Sequence, residues 1–162
     1  MRRRGTSLIE TVLLVPVLVL LFVGAMEMGK IALTYYTLHK GMRAAARMAS
    51  VLRGADFCNQ EDPQLLAIKE FLVNGPVGDA EPAPLVRDLT ADQILITPER
   101  ADAESGTIAE CECAGASGCL AAEGGRAPDY VVVSIPDGYP FQPRIPFRTL
   151  DPVLLRPRVR AP

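Results

Sequence analysis

The most regular feature of the chain is an uninterrupted apolar run close to its start. Residues 11–26 carry no charged side chain. A bilayer hydrocarbon core about 30 Å thick needs about 20 apolar residues in a helix, so residues 6–9 must be added before this run spans it. Their addition places Glu10 at the hydrocarbon edge, where a carboxylate is costly. The sequence therefore indicates that a partner, or an enzyme that reads the sequence, requires Glu10.

The hydrophobic pattern continues beyond Lys30 with helical spacing. Apolar residues recur at alternating steps of four and three, which is one face of a helix: Ile31, Tyr35, Leu38, Met42, Ala45, Ala49 and Leu52. Lys40, Arg43 and Arg47 fall on the opposite side, and Gly54 supplies a stop. We predict one helix over 6–53, about 70 Å long. Its apolar face either packs on the rest of the chain or meets neighbouring helices, and the two interpretations are compatible.

The remainder of the chain predicts a small α+β domain. Asp62 is a suitable N-cap for a second, short helix over 63–73, which Asn74-Gly75-Pro76 ends, and residues 77–85 read as a loop. Short strands are predicted over 93–97, 107–113 and 130–135. A final strand over 153–159 would be confined to a sheet edge by Pro152 and Pro157. The predicted fold is α+β: a long N-terminal transmembrane and amphipathic helix, a second short helix and a small antiparallel sheet.

The arginines before the apolar run predict its orientation. Arg2, Arg3 and Arg4 hold the N-terminus in the cytoplasm by the positive-inside rule, so the chain beyond about Lys30 lies outside. Cysteines are oxidised there, and two disulfides are expected. Cys111 with Cys113 is the least favourable pair, because alternate residues of a strand meet disulfide geometry poorly. One bridge then ties Cys58 to the 111–119 region, where Cys119 also lies, and the other is local. A four-thiolate zinc or iron–sulfur site has poor spacing here but is an alternative, as are free or intermolecular thiols.

Composition narrows the classes of function. A net charge of -2 without clustered basic residues after the start disfavours a nucleic-acid-binding surface. Fourteen prolines, thirteen glycines and no tryptophan describe a loop-rich domain. The single histidine, His39, offers no triad partner, and Ser134 lacks a nucleophile-elbow context. We expect that the protein is not an enzyme and that it binds no cofactor or metal. A calcium site among the acidic loop residues is a remote alternative.

The start of the chain resembles the processing site of type IV prepilins. The resemblance rests on Gly5, Thr6 and Glu10, placed after a basic leader and before the apolar run. It implies that a membrane-embedded prepilin peptidase cuts after Gly5 and leaves Thr6 as the mature N-terminus. It also implies that Glu10, then the fifth residue, neutralises the α-amino group of a neighbouring subunit in an assembled filament.

A longer string is similar to the TadE/TadG-type segment of minor pilins from tight-adherence (Flp/Tad) pilus systems. It comprises Gly5, Leu8, Ile9, Glu10, Leu13, Leu14, Pro16, Gly24, Glu27, Met28, Gly29 and Lys30. Thr11 and Met28 stand where members usually carry an aromatic residue. The resemblance implies a minor pilin or pseudopilin that assists pilus assembly. Its partners would be a prepilin peptidase, the major pilin and other minor pilins, and the inner-membrane assembly platform.

Together these expectations divide the chain into a leader over 1–5, a transmembrane helix over 6–30, its extracytoplasmic continuation over 31–53 and a disulfide-stapled ectodomain over 54–162. The protein would lie in the bacterial inner membrane with a single pass. Three alternatives remain open. Val23-Gly24-Ala25 fits an ordinary secretory signal cut after Ala25. An uncleaved signal anchor is the second, and with either signal the protein would be a secreted or membrane-anchored periplasmic binding or structural domain. A type II secretion pseudopilin, which more often has an aromatic residue at the place of Thr6, is the third.

Overall fold

The computed structural model describes residues 3–52, 54–75, 84–102, 105–113, 118–120, 124–145 and 148–162. The side chains of residues 3–9, 145, 148 and 149 are not part of this description. Most of the loop predicted over 77–85, and Arg53 at the predicted helix end, lie outside the described residues.

The described chain confirms the predicted fold class. It contains a long helix α1 (Arg3–Ser50), a short helix α2 (Pro63–Asn74) and small antiparallel sheets. The strands are β1 (Leu95–Ala101), β2 (Ile108–Glu110), β3 (Tyr130–Ser134), β4 (Tyr139–Phe141), β5 (Arg144–Ile145), β6 (Arg148–Thr149), β7 (Val153–Leu155) and β8 (Arg158–Ala161).

Helix α1 ends earlier than the hydrophobic pattern suggested. It stops at Ser50, and the backbone N–H groups of Val51 and Leu52 donate to the carbonyls of Met48 and Ala49 at 3.3 and 3.2 Å. These bonds reach back three residues instead of four, which is the tightened last turn common at helix ends. The predicted end at Arg53 was therefore wrong by one turn.

The second half of α1 forms one wall of the core. Leu38, Met42, Ala45 and Ala49 are at most 1% exposed, which confirms that this face packs against the rest of the chain. Tyr35 departs from the prediction, because its side chain is exposed and its ring lies 5.9 Å from that of His39. Lys40, Arg43 and Arg47 are exposed on the other side, as the pattern predicted.

Helix α2 begins as its sequence predicts. The Asp62 side chain accepts from the N–H of Gln64 at 2.8 Å, and Pro63 occupies the first turn. Leu65, Ile68 and Leu72 are buried on the face toward the core. Of the neighbouring residues on the helix, Leu66 is exposed and Lys69 is buried.

Buried Lys69 helps to close the edge of the main sheet. Its Nζ donates to the carbonyl of Gln60 at 3.1 Å, and burial lowers the pKa of its ammonium group. The Gln60 amide in turn pairs with the backbone of Ile96, donating to its carbonyl at 2.7 Å and accepting from its N–H at 3.3 Å. The Gln60 side chain thus occupies the part of the β1 edge that β2 does not reach.

The main sheet has the strand order β2-β1-β3-β8, and every pairing in it is antiparallel. One face packs on α1 and carries Ile96, Val131, Val133, Val159 and Ala161. The predicted strand over 130–135 is confirmed as β3, whereas β1 starts two residues later than predicted because residues 91–93 form a 3₁₀ turn. Strand β2 covers only 108–110 of the predicted 107–113, since the cysteines that follow are held in disulfides.

The single final strand predicted over 153–159 was wrong. Strand β7 pairs with β4 in a separate two-stranded sheet, and β8 pairs with β3 at the edge of the main sheet. Pro157 separates the two strands and cannot donate to a ladder, which accounts for the change of sheet. The predicted edge position is confirmed for β8.

An ion cluster fixes the edge strand β8. The Glu99 carboxylate is 4% exposed and pairs with Arg158 at 2.5 Å and Arg160 at 2.6 Å. The Arg160 guanidinium also lies 5.7 Å from the centroid of the Tyr130 ring. Because β3 separates β1 from β8, these pairs clamp three strands across one face of the sheet.

The four cysteines form two disulfides, as predicted for an oxidising compartment. Cys58 pairs with Cys113 and Cys111 pairs with Cys119, each with Cα atoms 5.7 Å apart. The first bridge ties the segment after α1 to the segment after β2, and the second is local. The thiolates that a zinc or iron–sulfur site would need are therefore consumed.

The two bridges should differ in their contribution to stability. They join residues 55 and 8 positions apart, so loop closure predicts losses of about 4 kcal/mol for Cys58→Ser with Cys113→Ser and about 2.5 kcal/mol for Cys111→Ser with Cys119→Ser. Denaturant unfolding of the detergent-solubilised chain, followed by circular dichroism, measures both. Equal losses, or a larger loss from the local bridge, would contradict the assignment of Cys58–Cys113 as the main staple.

Candidate functional site

The first half of α1 is apolar and has little contact with the rest of the described chain. Its large side chains from Val12 to Phe22 are between 49% and 69% exposed. This is the one helix in the described residues that is long and apolar enough to cross a membrane, with a mean hydropathy of 2.4 in its most apolar window. An apolar surface of this extent calls for lipid or other protein around it.

The residues predicted for processing lie at the start of this helix. Gly5 and Thr6 both fall within α1, as do Arg3 and Arg4, whereas Arg2 lies outside the described residues. Glu10 is exposed and has no ion-pair or hydrogen-bond partner among the described residues. In a membrane, its carboxylate would need a partner from another molecule or from the undescribed side chains.

A second carboxylate marks the other end of the apolar run. Glu27 lies about 26 Å along the helix from Glu10, close to the thickness of a hydrocarbon core. Unlike its neighbours Met26 and Met28, it is only 6% exposed. Its Oε1 lies 2.6 Å from Lys30 Nζ, and its Oε2 accepts from the backbone N–H of Arg144 at 3.2 Å. Glu27 therefore joins the apolar half of α1 to strand β5 of the domain that follows the helix.

In the sequence, Glu27 and Lys30 stand out only as part of the string that is similar to the TadE/TadG-type segment. Their spacing of three residues was a usable signal, because opposite charges so placed on a helix are neighbours. The contact with Arg144 spans 117 residues and has no local signal.

A groove of about 1020 Å³ opens between α1 and the ectodomain above this junction. Leu33, Thr34 and Thr37 line the helix side, and the opposite side is formed by residues 85–88 and 139–144 with Pro152. On that opposite side, the Tyr139 hydroxyl donates to the carbonyl of Arg87 at 2.8 Å. Burial, and the nearby charge of Asp88, raise the pKa of the Tyr139 phenol.

The described residues contain no cluster of three or more histidine, cysteine, aspartate or glutamate side chains placed to hold a metal ion. What they do bring together is an apolar helix with a carboxylate at each end. One carboxylate is unpaired within the described chain, and the other is paired to the ectodomain.

Comparison with known families gives a match that falls on helix α1. The family model described as TadE-like protein matches residues 5–47. The match begins at the predicted cleavage site, includes Glu10, Glu27 and Lys30, and ends within the packed half of α1. No curated protein and no solved structure shows a significant match to the chain. Residues 5–47 are thus TadE-like, and a family of this kind points to the Tad pilus systems.

The Glu27 junction can be tested by amide hydrogen exchange. Glu27→Ala removes the acceptor for the Arg144 N–H, so we expect exchange at Arg144 to accelerate about tenfold or more, since hydrogen bonds to charged groups are the stronger ones. Glu27→Gln retains an acceptor oxygen and should have a smaller effect. Glu70→Ala, at an exposed position on α2, is the matched control. Unchanged exchange at Arg144 in Glu27→Ala would show that this bond does not hold β5.

The hydroxyl of Tyr139 gives a prediction with a pH dependence. Tyr139→Phe should lower the free energy of unfolding by about 1 kcal/mol at neutral pH, because it leaves the Arg87 carbonyl unpaired. The folded pKa is raised above the ordinary 10.0, so this contribution is complete below pH 10.0 and is lost as the pH rises through the raised pKa. Denaturant unfolding at neutral pH and above pH 10.0 should therefore show the difference between the two proteins shrinking. A difference that grows with pH would contradict the assigned shift.

Proposed function

We propose that this protein is a minor pilin or pseudopilin that takes part in assembling a tight-adherence type IV pilus after cleavage by a prepilin peptidase. The observation that carries the proposal is one coincidence of position. The TadE-like match over 5–47 falls on the helix whose first half is exposed and apolar and whose Glu10 lacks a partner in the described chain.

Processing is the first step of the proposed function. With Arg2, Arg3 and Arg4 in the cytoplasm, the peptidase meets the bond between Gly5 and Thr6 at the cytoplasmic face of the membrane. Cleavage removes the basic leader and leaves a new α-amino group on Thr6. The mature helix then begins directly with its apolar half.

Glu10 is the residue that selects for assembly in this proposal. A lone carboxylate at the hydrocarbon edge is costly, and so is the new ammonium group on Thr6. When the Glu10 carboxylate of one subunit meets the ammonium group of another, the two desolvated charges offset each other. The pairing therefore favours an assembled state over separate subunits in the bilayer.

The ectodomain supports this role by its rigidity. Leu38, Met42 and Ala45 of the same helix form part of its core, so no loop intervenes between anchor and domain. We propose that this domain presents a surface outside the inner membrane and has no catalytic activity or cofactor. Its partners would be the major pilin, other minor pilins and the inner-membrane assembly platform.

The main alternative is an ordinary secretory signal cut after Ala25. Such a cut would fall inside a continuous helix, two residues before Glu27. The contact between Glu27 and Arg144 would then lie at the new end of the secreted domain and would no longer connect that domain to an apolar helix. The cut would also divide the TadE-like match in two. An uncleaved signal anchor would preserve both features but gives Gly5 and Glu10 no role.

N-terminal sequencing of the membrane-extracted protein tests the proposal directly. We expect the mature chain to begin at Thr6, and Gly5→Ala to leave the leader attached and the protein longer by five residues. Ala25→Leu is the matched variant for the alternative. It would block a signal peptidase cut after Ala25, and we expect it to leave cleavage after Gly5 unchanged. A mature end at Met26, or processing indifferent to residue 5, would remove the pilin assignment.

Assembly is tested separately from cleavage through Glu10. Glu10→Gln should still be cleaved after Gly5 but should lose most of its co-isolation with other pilins from detergent extracts, because it cannot neutralise a neighbouring amino group. Glu70→Gln, which removes an exposed carboxylate on α2, should retain it. Undiminished co-isolation of Glu10→Gln would show that the carboxylate is not the assembly contact.

A further inference from the structure

The half of α1 that packs on the ectodomain carries basic residues on its other side. Three of them form a stripe at steps of three and four residues along the helix: Lys40, Arg43 and Arg47. This basic stripe lies opposite the buried Leu38–Ala49 face, is exposed, and has no ion-pair partner among the described residues. Like charges at this spacing repel one another, and residues 28–55 include no acidic residue that could offset them. The stripe therefore lacks a counter-charge within its own helix.

Lipid headgroups lie too far away to supply that counter-charge if α1 crosses the membrane, so this inference rests on the membrane-anchored part of the proposed function. Lys40 and Arg47 lie about 21 and 31 Å along the helix from Met26, the last residue of the uncharged run. The headgroup zone on one side of a bilayer is only about 5–7 Å deep. A fixed counter-charge for the stripe must therefore come from a protein.

The chain itself carries exposed acidic residues around α2. Glu70 lies on the exposed part of that helix, Glu61 shortly precedes it, and Asp92 is close enough to Lys69 for its charge to act on that ammonium group. Lys69 is 5% exposed and donates to the carbonyl of Gln60, so it offsets only one of the three carboxylates. We call Glu61, Glu70 and Asp92 the acidic patch.

The basic stripe and the acidic patch lie at the same height along α1. The Leu72 Cγ atom is 4.0 Å from the position that a Cβ atom on Gly41 would take, so α2 is level with α1 there. Glu70 is about 3 Å along α2 from Leu72, and Gly41 lies between Lys40 and Arg43. Two copies that stand side by side in one membrane therefore present the stripe of one and the patch of the other without a vertical shift.

We propose that the basic stripe of one copy binds the acidic patch of a second copy, so that the protein associates with itself outside the membrane. Tyr36 and Leu66, one helical turn from Lys40 and Glu70, are exposed and add an apolar part to the contact. Opposite charges at one level favour this pairing over stripe against stripe or patch against patch. Because the two surfaces are different parts of one chain, the contact is head to tail and leads to a ring or an open filament.

The lysine content of the chain makes a cross-linking test specific. Of its three lysines, Lys30 is paired with Glu27 and Lys69 is buried, which leaves Lys40 as the exposed lysine without a paired carboxylate. Full-length protein, mixed from isotope-labelled and unlabelled chains in phosphatidylcholine vesicles, is treated with a carbodiimide that joins an amine directly to a carboxylate. We expect mass spectrometry to find Lys40 of one chain joined to the acidic patch of another. The yield should fall as salt is raised, because exposed charges are screened.

Charge reversal tests the direction of the contact. Arg43→Glu with Arg47→Glu makes both surfaces acidic, and Glu61→Arg with Glu70→Arg makes both surfaces basic. We expect each double variant to lose about tenfold or more of its self-association, because like charges then face each other. Co-isolation of two differently tagged full-length copies measures this loss. Mixing the two double variants, or combining all four changes in one chain, should restore the association.

The matched control is Arg87→Glu with Arg156→Glu, which reverses two exposed charges elsewhere on the domain and should change nothing. All these variants share residues 1–30, so cleavage after Gly5 and pairing through Glu10 contribute equally to each.

Three results would overturn the contact between copies. They are the absence of a cross-link between chains from Lys40 to the acidic patch, a failure of both the mixture and the combined variant to recover, and an equal loss in the control. A protein that is cut after Gly5 but gives one of these results keeps the pilin proposal and loses only this contact. Cross-links and recovery in a protein that is not cut after Gly5 would keep the contact and remove the pilin assignment.

Discussion

The packing of the main sheet against the Leu38–Ala49 face of α1 is the contact on which the rest of the structure depends. Ile96, Val133 and Val159 lie on that face of the sheet and are buried there with the helix. The ectodomain has few other elements that could supply a core, since its helix α2 is short and its other sheets have two strands each. The helix that carries the apolar anchor is therefore also the largest element of the folded domain.

Because α1 is both the apolar helix and a wall of the core, polar contacts and a disulfide fix the rest of the domain at its ends and edges. The Glu27 junction holds the lower end of the ectodomain to α1, and the Glu99 cluster holds the far edge strand to the sheet. The Cys58–Cys113 bridge closes the end distant from the anchor. A domain with many loops is fixed at several separate places because its core alone is small.

Local patterns in the sequence predicted the local parts of this structure. The helical spacing of apolar residues identified α1 and its buried face, Asp62 and Pro63 identified the start of α2, and the cysteine spacing disfavoured the Cys111–Cys113 pairing. Each of these predictions depends on residues within a few positions of one another, or on the oxidation of cysteines outside the cytoplasm.

The parts that the sequence could not predict depend on contacts between distant residues. Lys69 is buried although it is charged, because its ammonium group donates to the carbonyl of Gln60, whose amide pairs with Ile96 at the sheet edge. The final strand looked continuous because Val153 to Val159 is largely apolar, and only the pairing partners reveal two strands. In the candidate site, the apolar helix could be predicted, whereas the contact of Glu27 with Arg144 could not. The role of Gly5, Thr6 and Glu10 in processing stays a prediction.

The Gln60 amide has a consequence for contacts between copies of this chain. A strand edge with open N–H and C=O groups is a template on which another chain can add a strand, and this is how small sheets aggregate. At Ile96 both groups are already occupied by a side chain of the same molecule. A strand of another copy would find neither group open at Ile96, so strand addition is not favoured there.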